Sequence, residues 1–197
     1  MAVLIPSSPG PGAVNPAYLD WGGVLRSPLG GADQKLNRLG DRFAIDVTMN
    51  TMASDDEAAA WVAALIKGKK EGAIFPWPQT IDVDGTGDGA VDGAGQAGTT
   101  LNIRGVTTGR KFKAGQMVSV VHGGRRYLHM LMAAGTASSA GKIALSIEPM
   151  MRVSYADGAV VEIDTPKIEG FTDGNSQGWS VDVARNVGLQ FRITEAE

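Results

Sequence analysis

Apolar and polar residues alternate along much of this chain with the period of two that a β-strand imposes. Between residues 93 and 152, short alternating segments at 101–105, 117–121, 126–131 and 143–147 are separated by Gly, Lys, Arg and Ser. That spacing predicts a compact antiparallel sheet closing toward a small β-barrel or β-sandwich. The same alternation marks 42–49, where Phe43, Ile45, Val47 and Met49 share one face and Ala44, Asp46 and Thr48 the other. It returns at 160–163, 168–171, 179–183 and 189–193, with Asp173-Gly174-Asn175-Ser176 and Asn186-Val187-Gly188 as turns. The predicted fold class is therefore mainly β.

One segment has a helical period instead. Ser54 stands three residues before Glu57 in a capping box, Asp55 and Asp56 fall in the first turn, and Ala58, Trp61, Val62, Leu65 and Ile66 form one apolar stripe. Lys67 and Gly68 are expected to end it, giving one packed α-helix over about residues 55–67. The following Ala73-Ile74-Phe75-Pro76-Trp77-Pro78 carries prolines that remove ladder donors. It is expected as an edge strand or extended connector anchored by Phe75 and Trp77. Core packing is the stronger reading of Trp77 and contact with a partner the weaker.

Residues 1–40 lack such patterning. Pro6, Pro9, Pro11 and Pro16 with Gly10 and Gly12 predict an extended, irregular arm, yet Tyr18, Leu19, Trp21, Val24 and Leu25 are anchors that a disordered tail would not need. Part of the arm is expected on its own domain and part on a neighbouring subunit. Residues 41–197 then form a single β-rich domain holding the helix and an acidic, Gly-rich loop at 82–98, a size that supports one substantial core.

Composition narrows the function. With 27 Gly and 9 Pro among 197 residues, turns are frequent and long helices few. Eighteen Lys and Arg against 21 Asp and Glu give a net charge of −3 with the signs interspersed, which argues against a dedicated nucleic-acid binder. Cysteine is absent, so disulfides and thiolate metal sites are excluded. Neither a signal peptide nor a membrane span is expected, since no long apolar run occurs.

Several motifs tempt and fail on context. Gly93-Ala94-Gly95-Gln96-Ala97-Gly98 has dinucleotide-fingerprint spacing, but a predicted strand follows where a helix N-terminus must receive the pyrophosphate. No cofactor is expected. Asp82, Asp84 and Asp88 resemble part of a calcium loop, but Gly93 stands where a bidentate Glu is required and no helix flanks either side. A solvated acidic turn is the stronger expectation and a weak calcium site the alternative. His122 and His129 have no third ligand and are expected on a sheet surface or interface; Ser119 near His122 has no orienting acid, so no catalytic residue is assigned. Arg110, Lys111, Lys113, Arg125 and Arg126 beside Tyr127 form a basic cluster better suited to salt bridges between subunits than to nucleic acid.

The central motifs also resemble a family. Gly93-Ala94-Gly95-Gln96, Leu101 with Gly105, and Phe112-Lys113-Ala114-Gly115-Gln116-Met117 are followed by Gly124-Arg125-Arg126-Tyr127-Leu128-His129, and by the run Gly141-Lys142-Ile143-Ala144-Leu145-Ser146-Ile147-Glu148-Pro149-Met150-Met151-Arg152, then Gly158-Ala159-Val160-Val161. This series, with the strand at 43–49, the helix bearing Trp61 and Gly72-Ala73-Ile74-Phe75 upstream, resembles distal-tail and tail-tip structural proteins of long-tailed bacteriophages and prophages over roughly residues 40–171. The first 30 residues and the loop at 82–89 have no counterpart in the pattern.

That resemblance implies a virion tail component assembled in the host cytoplasm as a homo-oligomeric ring. Its partners would be the tail-tube protein and hub or fibre proteins, with no membrane and no nucleic acid. It also implies that the Ala114-Gly115 turn and residues 149–152 define the fold. The assembly contacts expected are Tyr18, Trp21, Trp77, Arg110, Lys111, Arg125 and Arg126. The alternative is a carbohydrate-binding β-sandwich used in host adsorption, motivated by Trp77, Tyr155 and Trp179; an exposed row of those rings would favour it.

Overall fold

The computed structural model describes residues 1–53 and 56–196, so the predicted capping residue Ser54 and the predicted first-turn Asp55 lie outside the described residues. In chain order the first elements are β1 (Val3–Leu4), β2 (Pro11–Leu19), β3 (Gly23–Leu25), β4 (Gln34–Leu36), β5 (Arg42–Met49), β6 (Met52–Ala53), helix α1 (Asp56–Glu71) and β7 (Ala73–Pro76). Then come β8 (Gly89–Val91), β9 (Gln96–Arg104), β10 (Lys111–Phe112), β11 (Met117–His122), β12 (Arg125–Leu131), β13 (Gly135–Thr136), β14 (Ile143–Tyr155) and β15 (Val160–Glu162). The chain closes with β16 (Lys167–Thr172), β17 (Trp179–Val181) and β18 (Asn186–Glu195).

The central stretch closes into a six-stranded antiparallel barrel, ordered β11-β12-β14-β9-β8-β15. Closure pairs every strand on both sides, which removes the free edges of an open sheet. Alternation fills the interior: Val118 and Val120 of β11, Tyr127 and Leu131 of β12, and Leu145 and Ile147 of β14 join one core cluster. Gly93 and Gly95 have φ of 93° and 79°, where only glycine sits without strain, and they belong to the turn between β8 and β9. The fingerprint spacing is thus turn chemistry. Pairing of β14 with β9 slips between Ser146 and Met151 and again before Tyr155, so Pro149 lies at an irregular part of the ladder where no donor is needed.

A second sheet is ordered β1-β7-β16-β18-β5-β2, with β6 and β17 also paired to β18, and β3-β4 and β10-β13 form two small pairs of their own. Its core gathers Phe43, Ile45, Phe75, Phe191 and Ile193 against Trp61 and Leu65 of α1. Three expectations change here. Residues 1–19 are not irregular throughout, because β1 pairs with β7 and β2 runs antiparallel along β5 from Pro11 to Leu19, with only a short connection between them. Backbone pairing supplies what side-chain periodicity lacks, and an edge strand is where Pro11 and Pro16 are tolerated.

The helix runs to Glu71 rather than ending at Gly68. Gly68 is a packing residue: a Cβ there would stand 3.0 Å from the Ala73 Cβ. The end of α1 falls at Gly72, whose φ is 93° and whose N–H donates to the Gly68 carbonyl at 2.8 Å. Finally, β7 is not an edge, since it lies between β1 and β16; β1 covers only Ala73 and Ile74, so Pro76 meets no donor requirement on that side.

Barrel and sheet meet along the outer face of β11 and β12. Leu128 and Met117 point away from the barrel interior and join the sheet core. Beside them lies a polar layer. The Ser119 hydroxyl donates to Glu162 at 2.6 Å, and Arg126 reaches Glu162 at 3.2 Å and Glu169 at 3.3 Å. Lys167 reaches Glu162 at 2.8 Å. Burial works against the Glu162 carboxylate, but Lys167, Ser119 and Arg126 more than offset it and hold its pKa below the usual range.

Candidate assembly surface

The acidic loop is organised around a cation that the protein itself provides. The buried Arg110 guanidinium donates through Nε to the Asp84 carbonyl at 2.7 Å, through Nη1 to the Gly87 carbonyl, and through Nη2 to Asp164 at 2.6 Å. Asp84 Oδ2 accepts from the Lys111 N–H at 2.7 Å, and Asp88 accepts from the Ile163 N–H at 2.9 Å. Of the carboxylates that suggested a calcium loop, those of Asp84 and Asp88 therefore accept backbone N–H groups, while the Arg110 guanidinium takes the loop carbonyls. Among the described residues no group of three or more His, Asp or Glu side chains is placed to hold a metal ion.

Arg110 is consequently internal, which corrects its assignment as a contact residue; Trp77 is internal too, as the stronger expectation of core packing had it, and not the partner contact that was the weaker one. Trp77 is buried, its ring 5.5 Å edge-on from Phe43. The basic cluster is dispersed: Lys113 reaches the Asp82 carbonyl at 2.8 Å, Arg126 is spent on Glu162 and Glu169, and Lys111 and Arg125 are exposed on separate elements.

His129 is also inside, not on a sheet surface. Its Nδ1 lies 2.8 Å from the Pro149 carbonyl, which can only accept, so Nδ1 carries the proton and Nε2 accepts from the Tyr155 hydroxyl at 2.6 Å. Complete burial favours the neutral ring and lowers its pKa to about 4, with the nearby Arg152 charge adding to the effect. Tyr155 is buried as well, and its phenol pKa is pushed up, chiefly by that burial. Arg152 lies over the Tyr127 ring at 5.5 Å and pairs with the buried Glu195, which also accepts the N–H groups of Leu128 at 2.8 Å and Phe43 at 3.2 Å. Burial pushes the Glu195 carboxyl up in pKa, against the pull of Arg152 and those amides. No sequence pattern announced this pair, because its partners are 43 residues apart.

Apolar side chains face solvent on several elements, and two features among them are a hairpin and a groove. The first is the hairpin of β3 and β4, which pair with each other and lie on no larger sheet. Leu25 and Leu36 share one face of it, since Leu25 opposes Gln34 and Leu36 opposes Gly23. Tyr18 and Trp21 stand at its base. The Tyr18 hydroxyl donates to Asp41 at 3.1 Å, and burial together with Asp41 raises its pKa; the Trp21 N–H donates to Asp41 at 2.7 Å and Arg42 lies 5.7 Å from the Trp21 ring. Both residues remain about half exposed, as a contact residue requires.

The second is a groove of about 350 Å³ between α1 and β17, floored by Ala59, Val62, Ala63 and Ile66 and walled by Trp179 and Val181. On the other side of the Trp179 ring a more polar cleft of about 420 Å³ is lined by Thr48, Ser180 and Gln190. Of the three rings that suggested carbohydrate binding, only Trp179 is exposed.

No protein-family model and no curated protein matches the chain. The surface itself is therefore the ground for a functional reading.

Proposed function

We propose that this chain is a structural protein of a long-tailed bacteriophage tail, a distal-tail or tail-tip ring component linking the tail tube to the adsorption apparatus. The projecting apolar hairpin carries this reading. A two-stranded hairpin is marginal in water by itself, and exposed side chains such as Leu29, at 96% exposure, are stabilised only when another surface covers them. Support comes also from the resemblance of the central motifs and from the use of the polar side chains: Arg110, Arg126, Glu162 and Glu195 all serve to hold the fold together. Repeated contacts around a ring would supply affinity through multiplicity.

Light scattering and negative-stain microscopy of the purified protein, alone and with tail-tube protein, test the reading. Rings, or decoration of the tube end, are the expected result; a monomer that joins neither would overturn it. Carbohydrate binding is the second reading, resting on Trp179 and the polar cleft beside it. Glycan-array binding abolished by Trp179→Ala would favour that reading.

A further inference from the structure

Barrel and sheet leave a small pocket where they meet beside the start of β5. Met130 and Glu148 are paired across β12 and β14, and the Met132 N–H donates to the Ser146 carbonyl at 2.8 Å just beyond. Leu131 and Ile147 belong to the barrel core, so the alternate residues Met130, Met132 and Glu148 stand on the outer face. The sheet supplies the opposite wall. Tyr18 of β2 pairs with Phe43 of β5, their rings 5.4 Å apart and edge-on. These five side chains line a pocket of about 230 Å³, and it opens to solvent beside Tyr18 and Met132, each about half exposed.

Two aromatic rings and two thioether side chains form its walls, and the one charge among them is the Glu148 carboxylate. Neighbouring charged groups are engaged elsewhere. Asp41 accepts the Tyr18 hydroxyl and the Trp21 N–H, Asp20 pairs with Lys35 at 3.1 Å, and Arg42 lies against the Trp21 ring and donates to the Gly40 carbonyl. The half-buried Glu148 carboxylate has no hydrogen bond and no salt bridge among the described residues. Its charge reaches into the pocket all the same: burial and Asp41 raise the Tyr18 pKa first, and Glu148 and Asp20 add to that rise.

We propose that this pocket receives the side chain of an arginine presented by a partner protein. Apolar walls with one unmatched carboxylate are complementary to an apolar stem that ends in a cation. The volume suits a single side chain, since pockets for drug-sized ligands run to about 300–1,000 Å³. A guanidinium fits better than an ammonium. It is planar, weakly hydrated, stacks on aromatic faces, and can direct two parallel N–H donors at one carboxylate. The arginine need not come from a ring neighbour, so the site does not rest on the tail reading.

The probe is N-acetyl-arginine amide, titrated into the full chain with its methionine methyl groups labelled for NMR. The Met130 and Met132 resonances are assigned by Met130→Leu and Met132→Leu. Both are expected to shift saturably, with a Kd on the order of 1 mM for a ligand of this size. The neutral isostere N-acetyl-citrulline amide should give no saturable shift, and N-acetyl-lysine amide should bind more weakly. Glu148→Gln should weaken the arginine probe about 10-fold or more, with the melting curve at its wild-type position. Added salt should weaken binding to the wild type and leave Glu148→Gln nearly unaffected, because only the wild type has the charge pair to screen.

Failure of the arginine probe to saturate, equal binding of the citrulline or lysine probe, or wild-type affinity in Glu148→Gln would each overturn the site. Saturable shifts confined to methionines other than Met130 and Met132 would overturn it too, by placing the cation elsewhere. Ring assembly is read by scattering and microscopy, so the pocket and the tail reading fail separately.

Discussion

Two side chains show how chemistry that looks functional can be structural. Arg110 ties the loop at 82–89 to the fold, its planar fork of donors shared between the Asp84 and Gly87 carbonyls and the Asp164 carboxylate. Replacing it with Met leaves the Asp84 and Gly87 carbonyls without this donor and removes the counter-charge of Asp164, which keeps the Gly87 N–H. A loss of about 2–4 kcal/mol is expected in urea denaturation, with the loop amides of 84–88 losing protection in hydrogen exchange.

His129 predicts a pH dependence whose sign follows from its lowered pKa. The folded ring titrates near 4 and the unfolded one near the ordinary 6.5, so between those values the unfolded chain binds more protons. Its contribution to stability is full above about pH 6.5 and is lost as pH falls through 4, about 3 kcal/mol in all. Urea midpoints measured from pH 7 to pH 4 should decline accordingly, and a His129→Gln variant should have a smaller decline over the same range.

At the scale of elements, β2 matters more than its composition suggests. It covers the length of β5, whose other side is occupied by β18, so the N-terminal segment seals an edge that would otherwise offer free backbone groups. Deleting residues 1–19 should therefore increase aggregation on purification, read by size-exclusion recovery against the full chain. Removing the hairpin tip alone should leave solubility intact. The helix teaches a related lesson: Gly68 reads as a stop signal in sequence, yet it lies inside the last turn, where Ala73 and Ile5 pack against the space a side chain would take. Its terminator, Gly72, is identified by a left-handed φ that composition cannot reveal.

At the scale of the molecule, barrel and sheet are joined by the Arg152–Glu195 pair and the layer around Glu162. Glu195→Gln leaves Arg152 buried without its counter-charge, and a loss of about 3–5 kcal/mol is expected in chemical denaturation. The double variant Arg152→Met with Glu195→Leu should lose less than Glu195→Gln, because no charge is then stranded.

The alternation of Phe43, Ile45 and Val47, of Val118 and Val120, and of Leu189, Phe191 and Ile193 was enough to predict strands, and the stripe through Ala58, Trp61 and Leu65 enough to predict the helix, because local side-chain period follows directly from backbone geometry. Tertiary structure alone decided that β2 is a strand, that β7 is flanked on both sides, that Arg110 is internal, and that β3 and β4 pair apart from the larger sheets. Each of those depends on which distant backbone edges and charges meet. Pairing partners 23 to 153 residues apart leave no periodic trace in the sequence.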